Sequence, residues 1–402
     1  MSNLLNPAVA AQLNNASWIR KMFEAGRELS RRVGPENVFD FSLGNPDIPP
    51  PPRAAKVLRD IAEHVGRPMS VGYCPNQGLP SFRVALAKKL SHEQHALIHA
   101  EHLVVTCGAA GAITALFRAV LEPGDEVIVP APYFVEYGAY AGHFGGVLKP
   151  VATRRPGFHL DLAAIDAAVT PNTRAILVNT PNNPTGACYT RDELAALGAL
   201  LERHNANRPR PVFLVADEPY RALAYDGFSV PPILPFSPYA VVVGSFSKSL
   251  SLAGERVGYL LANPAMPGVA QLVAAVTMTT RTLGFVNAPV IGQQLAEHLL
   301  DEQVDLAVYT RRRAVMARVL ADAGIVFTEP RGAFYFFPEA PGGDDLAFVN
   351  ALFEQNILAV PGSGFGCPGH FRLAFCVNES TIERAADGFK RAVEKGARVF
   401  NP

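Results

Sequence analysis

The sequence predicts an α/β protein built on a mostly parallel central sheet, with a second, smaller α+β domain. Three observations predict it. Between about residues 100 and 260, short apolar runs rich in β-branched residues alternate with segments whose apolar residues recur at helical intervals. The polar residues that could carry chemistry follow the ends of those apolar runs, where open parallel sheets bind their ligands. From about residue 290 the pattern changes to helical segments, an aromatic strand and further short strands, closed by a last helix. The expected division is an N-terminal arm with part of the small domain (1–50), a large domain (51–289) and a C-terminal small domain (290–402).

The bulk numbers narrow the function. The 402 residues suffice for one large domain and a smaller one. Lys plus Arg and Asp plus Glu both total 36, so the formal charge is zero and neither nucleic acid nor an anionic membrane is indicated as a partner. The five cysteines, Cys74, Cys107, Cys188, Cys367 and Cys376, lack metal-ligand spacing and read as free thiols in a reducing compartment; no metal is expected. The start shows no basic region followed by an apolar one, and no apolar run reaches spanning length. The expected location is the cytoplasm.

In chain order, residues 1–33 read as an arm and a helix on which Trp18 packs. Phe39 to Pro46 is a short strand ending in a turn, stiffened by the prolines from Pro49 to Pro52, and Ala54 to His64 is a helix. A turn-rich loop from Gly72 to Pro80 carries Tyr73 and precedes a helix opening at Ser81, the expected cap. His102 to Thr106 is a strand running into Gly108-Ala109-Ala110-Gly111 and a helix. That arrangement aims backbone N–H groups at an anion, though many α/β units have it for packing alone. Strands follow at Glu126–Val129, Ala175–Asn179, Val212–Asp217 and Ala240–Gly244. Pro132-Tyr133-Phe134 opens a helix; Thr180 to Gly186 is a strand-terminal loop; Arg191 to Asn205 is helical. Beyond 290, helices span Val290–Leu300, Val304–Ala323, Ala347–Gln355 and Thr381–Lys395, with strands at Gly332–Phe337 and His370–Phe375.

The stretch after Gly244 is the chemical centre. Ser245-Phe246-Ser247-Lys248 places one lysine among hydroxyl residues at a strand end, with Arg256 eight positions on. A lysine in a largely apolar setting loses solvation, which lowers its pKa and makes its amine a nucleophile toward an aldehyde. The serines and Arg256 add donors for a phosphate. A surface lysine in a Ser-rich loop would look the same in isolation; the rest of the chain argues against it.

Four motifs stand in order: Asn182-Asn183-Pro184-Thr185-Gly186, Asp217-x-x-Tyr220, Ser245-x-Ser-Lys248 with Arg256, and Phe371-Arg372-Leu373. Together they resemble the fold type I, class I/II (aspartate-aminotransferase-like) aminotransferases that use pyridoxal 5'-phosphate. The resemblance runs from Gly44 to Leu373. It implies the three-layer αβα fold of those transferases, a homodimer with shared active sites, and transfer of an amino group between an L-amino acid and a 2-oxo acid in a ping-pong cycle. It also implies roles. Lys248 holds the cofactor and then moves a proton; Asp217 faces the pyridine nitrogen; Tyr220 and Asn183 donate to the ring oxygen. Phe134 stacks on the ring, with Tyr133 competing for that place. The backbones of Ala109 and Ala110, with Ser245 and Arg256, hold the phosphate, and Tyr73 reaches the phosphate of the other subunit. Arg372 takes the substrate α-carboxylate, and the backbone at Gly44 closes over the substrate.

The chain departs from the family pattern in three places. Tyr137 stands where some relatives carry a histidine behind the acid, no hydroxyl residue stands near Ala110, and Arg281 is offset by one residue from the arginine that reads a distal carboxylate in dicarboxylate-specific relatives. Glutamate/2-oxoglutarate is the expected pair on one side, with aspartate or a broad, aromatic set on the other. The alternatives share most motifs: a lyase or cyclising enzyme of the same fold, and a regulatory domain that binds the cofactor without turnover. The stretch ahead of Gly44 has no basic stripe, against the last of these. A dinucleotide-binding reading fails because Cys107 to Gly111 lacks G-x-G-x-x-G spacing.

Overall fold

The computed structural model describes residues 4–5, 9–10 and 18–400. They form two compact units, one of Pro46–Thr310 with Pro330–Ala333, the other of Met1–Asn45, Arg311–Glu329 and Phe334–Pro402. The first strand, β1 (Phe39–Asp40), belongs to the smaller unit.

The larger unit is built on seven strands: β2 (Leu103–Thr106), β3 (Glu126–Ala131), β4 (Val147–Ala152), β5 (Thr173–Asn179), β6 (Phe213–Asp217), β7 (Ala240–Ser245) and β8 (Gly258–Ala262). Their order is β2-β8-β7-β6-β5-β3-β4, and all neighbours are parallel except β8, which runs antiparallel to both β2 and β7. The inner strands β6 and β7 are buried along their whole length. This is why they read as unbroken apolar runs rather than as alternation. Alternation nevertheless sorts their side chains. Leu214, Ala216 and Val242 join one apolar cluster with the helices Pro80–Gln94 and Arg191–Asn205. Val215, Val241 and Val243 join the other with the helix Gly108–Val120.

Register aligns the functional ends. Asn179 of β5 stands opposite Asp217 of β6, and Asp217 opposite Val243 of β7. Ser245 pairs with Gly258, which pairs in turn with Thr106 of β2. The loops carrying Asn183, Lys248 and Ala109 therefore leave the sheet from one edge.

The smaller unit pairs β1 in parallel with β10 (Ile357–Leu358). A three-stranded antiparallel sheet in the order β11-β12-β9 combines Val360–Pro361, Phe371–Ala374 and Tyr335–Phe336.

Several expectations are corrected. The division falls at 310/311, not after 289, because the helix Val290–His298 buries Leu295 and Ala296 in the core of the larger unit. The helix expected from Ser81 starts at Pro80, with no side-chain cap at Leu79. Proline at the first turn supplies the start, since its missing N–H would have had no partner there; the Ser81 hydroxyl instead donates to Glu297 at 2.9 Å. The helix expected from Pro132 begins at Tyr137. The Trp18 side chain lies outside the described residues.

Candidate active site

Asp217 closes β6, fully buried. Its Oδ2 accepts a hydrogen bond from the Tyr137 hydroxyl at 2.5 Å, and its Oδ1 is buried with no hydrogen-bond partner among the described residues. Burial pushes the carboxyl up to about 7; the Tyr137 hydrogen bond opposes that rise, and the neighbouring Glu218 charge adds to it. The Tyr137 phenol is itself held well above its usual range, first by burial and then by the Asp217 charge, so it stays a donor. A buried carboxylate with one bare oxygen and no ion pair among the described residues suits a protonated ring nitrogen.

The loop after β5 is fastened to the same strand end. Asn179 Nδ2 donates to the Asp217 carbonyl at 2.8 Å, and Asn179 Oδ1 accepts from the Asn183 N–H at 2.7 Å. Asn182 Oδ1 accepts from the Thr185 N–H and hydroxyl. Asn183 is thereby fixed and buried beside Asp217. Tyr220 is buried in the turn after β6, near enough to Tyr137 for its charge to count there.

Lys248 lies half-buried on the four-residue helix Phe246–Ser249 that follows β7 directly. Ser245 caps that helix: its hydroxyl oxygen accepts from the Ser247 N–H at 3.1 Å, and its proton goes to Ser247 Oγ at 2.8 Å.

Ala109 and Ala110 form the first turn of the helix Gly108–Val120, where backbone N–H groups have no partner within the helix. The Arg256 guanidinium sits against the same turn. Its Nη2 lies 3.5 Å from the Cys107 carbonyl oxygen, and a Cβ on Gly108 would come within 2.8 Å of it. A cation held at the positive end of a helix is a like-charge arrangement that an anion relieves. Gly258 makes the approach possible, since a Cβ there would meet the Gly108 carbonyl carbon at 2.5 Å.

Phe134, partly buried, meets Tyr137 edge-on with ring centroids 5.5 Å apart. Tyr140, one turn beyond Tyr137, was not singled out by the sequence. Burial first, and then the charges of Glu136 and Asp217, raise its phenol, while Arg256 acts in the opposite sense. It therefore stands where the fields of the Asp217 and Arg256 ends are both felt. The i, i+3 spacing from Tyr137 was the available signal. Tyr73 is 84% exposed, on a loop held by the Asn76 amide donating to the Val286 carbonyl at 2.9 Å. Arg281 is exposed in the last turn of the helix Val269–Thr282.

In the smaller unit, Arg372 of β12 is 2% exposed. Its Nη2 donates to the Ser42 carbonyl at 2.5 Å, and its guanidinium carbon lies 4.8 Å from the centre of the Tyr335 ring and 4.9 Å from that of Phe365. Aromatic faces on a guanidinium hold its plane in a fixed orientation. Gly44 packs on the same tyrosine, and a Cβ there would lie 2.0 Å from its hydroxyl.

No group of metal-ligating side chains occurs among the described residues, and none of the described helices is long and apolar enough to cross a membrane. All five cysteines are free thiols. The donor set fits pyridoxal phosphate at both ends: a bare buried carboxylate for the ring nitrogen, and a helix N-terminus with an arginine for the phosphate.

Comparison with known proteins agrees. The profile of the family described as aminotransferase class I and II matches residues 36–389. The aspartate/prephenate aminotransferase of Thermus thermophilus is 32% identical over 373 residues, covering 90% of this chain and 92% of that protein. The aspartate aminotransferase of Geobacillus stearothermophilus is 31% identical, covering 93% and 95%. Among solved structures, an aminotransferase from Eubacterium rectale superposes with a TM-score of 0.93 at 34% identity over 100% of both chains. The Thermus thermophilus aspartate aminotransferase with maleate gives 0.84 at 28% identity, covering 98% and 100%. The chain belongs to the class I and II aminotransferases, pyridoxal-phosphate enzymes that move an amino group between an amino acid and a 2-oxo acid.

Proposed function

We propose that this chain transaminates dicarboxylic L-amino acids, with glutamate/2-oxoglutarate as one pair and aspartate with its oxo acid as the other. Support for the substrate comes from relatives named for aspartate, and from a related structure described with maleate, a four-carbon dicarboxylate. The observation that carries the assignment of roles is Asp217, buried, tied to Tyr137 through one oxygen and bare on the other.

When bound, pyridoxal phosphate supplies an aldehyde that takes the amino group and a ring that accepts the electron pair left at the substrate Cα. The chain's own groups do the rest. Asp217 holds the proton on the ring nitrogen, and Asn183 and Tyr220 donate to the ring oxygen. Phe134 would pack against the ring. The N–H groups of Ala109 and Ala110, the Ser245 hydroxyl and Arg256 hold the phosphate. Lys248 anchors the cofactor through its amine. The same amine would be the base for the substrate Cα proton. Arg372 binds the α-carboxylate through its planar fork, and the backbone at Gly44 covers it.

The working form is a homodimer in which Tyr73 reaches the phosphate of the second copy. Its exposure supports this, as do the exposed Met69, Val71, Met278, Phe285 and Ile291 in the two segments that Asn76 joins. Arg281, if it serves the second copy's substrate, reads the distal carboxylate. The five free thiols fit a cytoplasmic location. The test is kcat/KM for aspartate, glutamate and alanine, with 2-oxoglutarate as acceptor where the donor allows it. Preference for the two dicarboxylates is expected; alanine turned over as well as aspartate would refute the substrate assignment.

A further inference from the structure

β6 ends not in one buried carboxylate but in two. Asp217 and Glu218 are adjacent, and alternation sends them to opposite faces of the sheet. Asp217 meets Tyr137, on the face with Val215; Glu218 follows Leu214 and Ala216 toward the face that holds Phe246 and Tyr259. Glu218 has a cation. Arg221 Nη1 lies 2.8 Å from its Oε2, with the two side chains 15% and 1% exposed. Gln94 Nε2 donates to the same oxygen at 3.1 Å.

That guanidinium is held from several sides. Its Nη2 donates to the Val230 carbonyl at 2.8 Å and to the Glu93 carbonyl at 3.0 Å, and its Nε faces the Glu93 carboxylate at 3.6 Å. Gln94 closes the circuit by accepting from the Ile233 N–H at 2.9 Å. Between Glu218 and Arg221 sits Tyr220, in a turn closed by the Arg221 N–H on the Glu218 carbonyl and the Leu223 N–H on the Tyr220 carbonyl. The turn is thus clamped to the end of the helix Pro80–Gln94 and to residues 230–233. The pair also forms a wall of a cavity of about 590 Å³ that Lys248, Asp217 and Asn183 do not line.

We propose that Arg221 is a positioning residue of the cofactor site: its pairing with Glu218 fixes the turn that carries Tyr220 and neutralises the negative charge standing beside Asp217. The proposal rests on the role given to Asp217 above. Tyr137 and Tyr140 face Asp217 from the helix Tyr137–Gly142, and Tyr220 and Glu218 from its own segment. Glu218 is faced by Arg221, Glu93 and Tyr259. Lys89, His92, His95, Arg191 and Glu302 line the cavity. Removing Arg221 leaves Glu93 and Glu218 without their shared partner, so at least one negative charge stays. Removing the Glu218 charge leaves Arg221 facing Glu93 alone, so the net charge beside Asp217 becomes one unit less negative.

The experiment measures the Kd of pyridoxal 5'-phosphate for the cofactor-free enzyme from pH 5 to 9, in the wild type, D217N, E218Q, R221M and the double variant E218Q/R221M. In the wild type the part of the acid limb that D217N removes reports protonation of Asp217; the cofactor phosphate, which also takes a proton in this range, contributes equally to both proteins. R221M moves the limb up and E218Q moves it down, each by about one pH unit, the scale of one unit charge nearby at an effective dielectric near 20. The double variant restores the wild-type midpoint but binds about tenfold more weakly throughout, because the Tyr220 turn has lost its clamp. A wild-type limb that D217N removes but that R221M and E218Q leave in place, or shift in the same direction, would overturn the proposal while leaving Asp217 its role. A limb that is the same in D217N as in the wild type would overturn both. Thermal stability alone does not distinguish the variants, since a purely structural pair would lower it without moving the midpoint.

Discussion

Asp217→Asn exposes the conflict between stability and function that the structure builds into β6. The Asp217 carboxyl rises from 3.8 to about 7 on folding. Because the folded value lies above the unfolded one, the folded state binds the extra proton between those limits. Its contribution to stability is whole below about pH 4 and is lost as pH climbs through 7. The rise of about three units corresponds to roughly 4 kcal/mol lost from the cofactor-free protein at pH 8. An asparagine keeps an acceptor for the Tyr137 hydroxyl but buries an amide N–H group at the bare Oδ1 position, a cost of about 1–3 kcal/mol. Cofactor-free D217N is therefore expected to be about 2 kcal/mol more stable than the wild type at pH 8 and nearly equal to it at pH 5.5. Urea unfolding of both proteins at the two pH values, at one fixed protein concentration, measures this. Activity at pH 8 moves the opposite way, since the ring nitrogen loses its carboxylate. A D217N protein less stable than the wild type at pH 8, or a difference unchanged between the two pH values, would refute the reasoning.

Other substitutions test separate parts of the site. Arg372→Leu removes the proposed carboxylate partner and is expected to raise KM for every amino-acid donor by about a hundredfold or more; equal KM values would take Arg372 out of substrate binding. Gly258→Ala drives a Cβ to 2.5 Å from the Gly108 carbonyl carbon and 2.7 Å from the Gly244 carbonyl oxygen, backbone atoms that have little freedom to yield. A loss of about 1–3 kcal/mol in stability and weaker cofactor binding are expected in calorimetry and titration. Thr190→Ala breaks the capping box in which Thr190 Oγ1 accepts from the Glu193 N–H at 3.2 Å and Glu193 Oε2 accepts from the Thr190 N–H at 2.8 Å. It should cost about 1 kcal/mol of stability and leave kcat/KM unchanged.

The parallel sheet was legible because its inner strands are buried on both faces and stand out as apolar runs, and the candidate site residues lie where the sequence put them, just after those strands. Lys248 drew attention from its place after a strand end, whereas the roles expected of Asp217 and Asn183 came from the resemblance to the aminotransferases. Where a side chain answers to a partner far away in sequence, the reading stopped. Tyr137 departed from the family's histidine, and only the fold shows its hydroxyl 80 residues from the carboxylate it serves. Arg221 was not singled out, because its partners Glu93 and Val230 lie on other elements. Ser245 was read as a phosphate donor; within the chain its hydroxyl also caps the short helix of Lys248, a use set by local geometry rather than by residue type. The end of the larger unit was misplaced because the helix Val290–His298 carries no mark of which core its apolar side joins.

The central claim, that Lys248 is the residue on which the cofactor is carried, is tested most directly by borohydride reduction of the loaded enzyme followed by peptide mass mapping. The visible absorbance band should disappear, and the mass of the reduced cofactor should be found on the peptide containing Lys248, with none on that site in K248A. A label on another lysine, or a loaded enzyme whose visible band resists reduction, would contradict it.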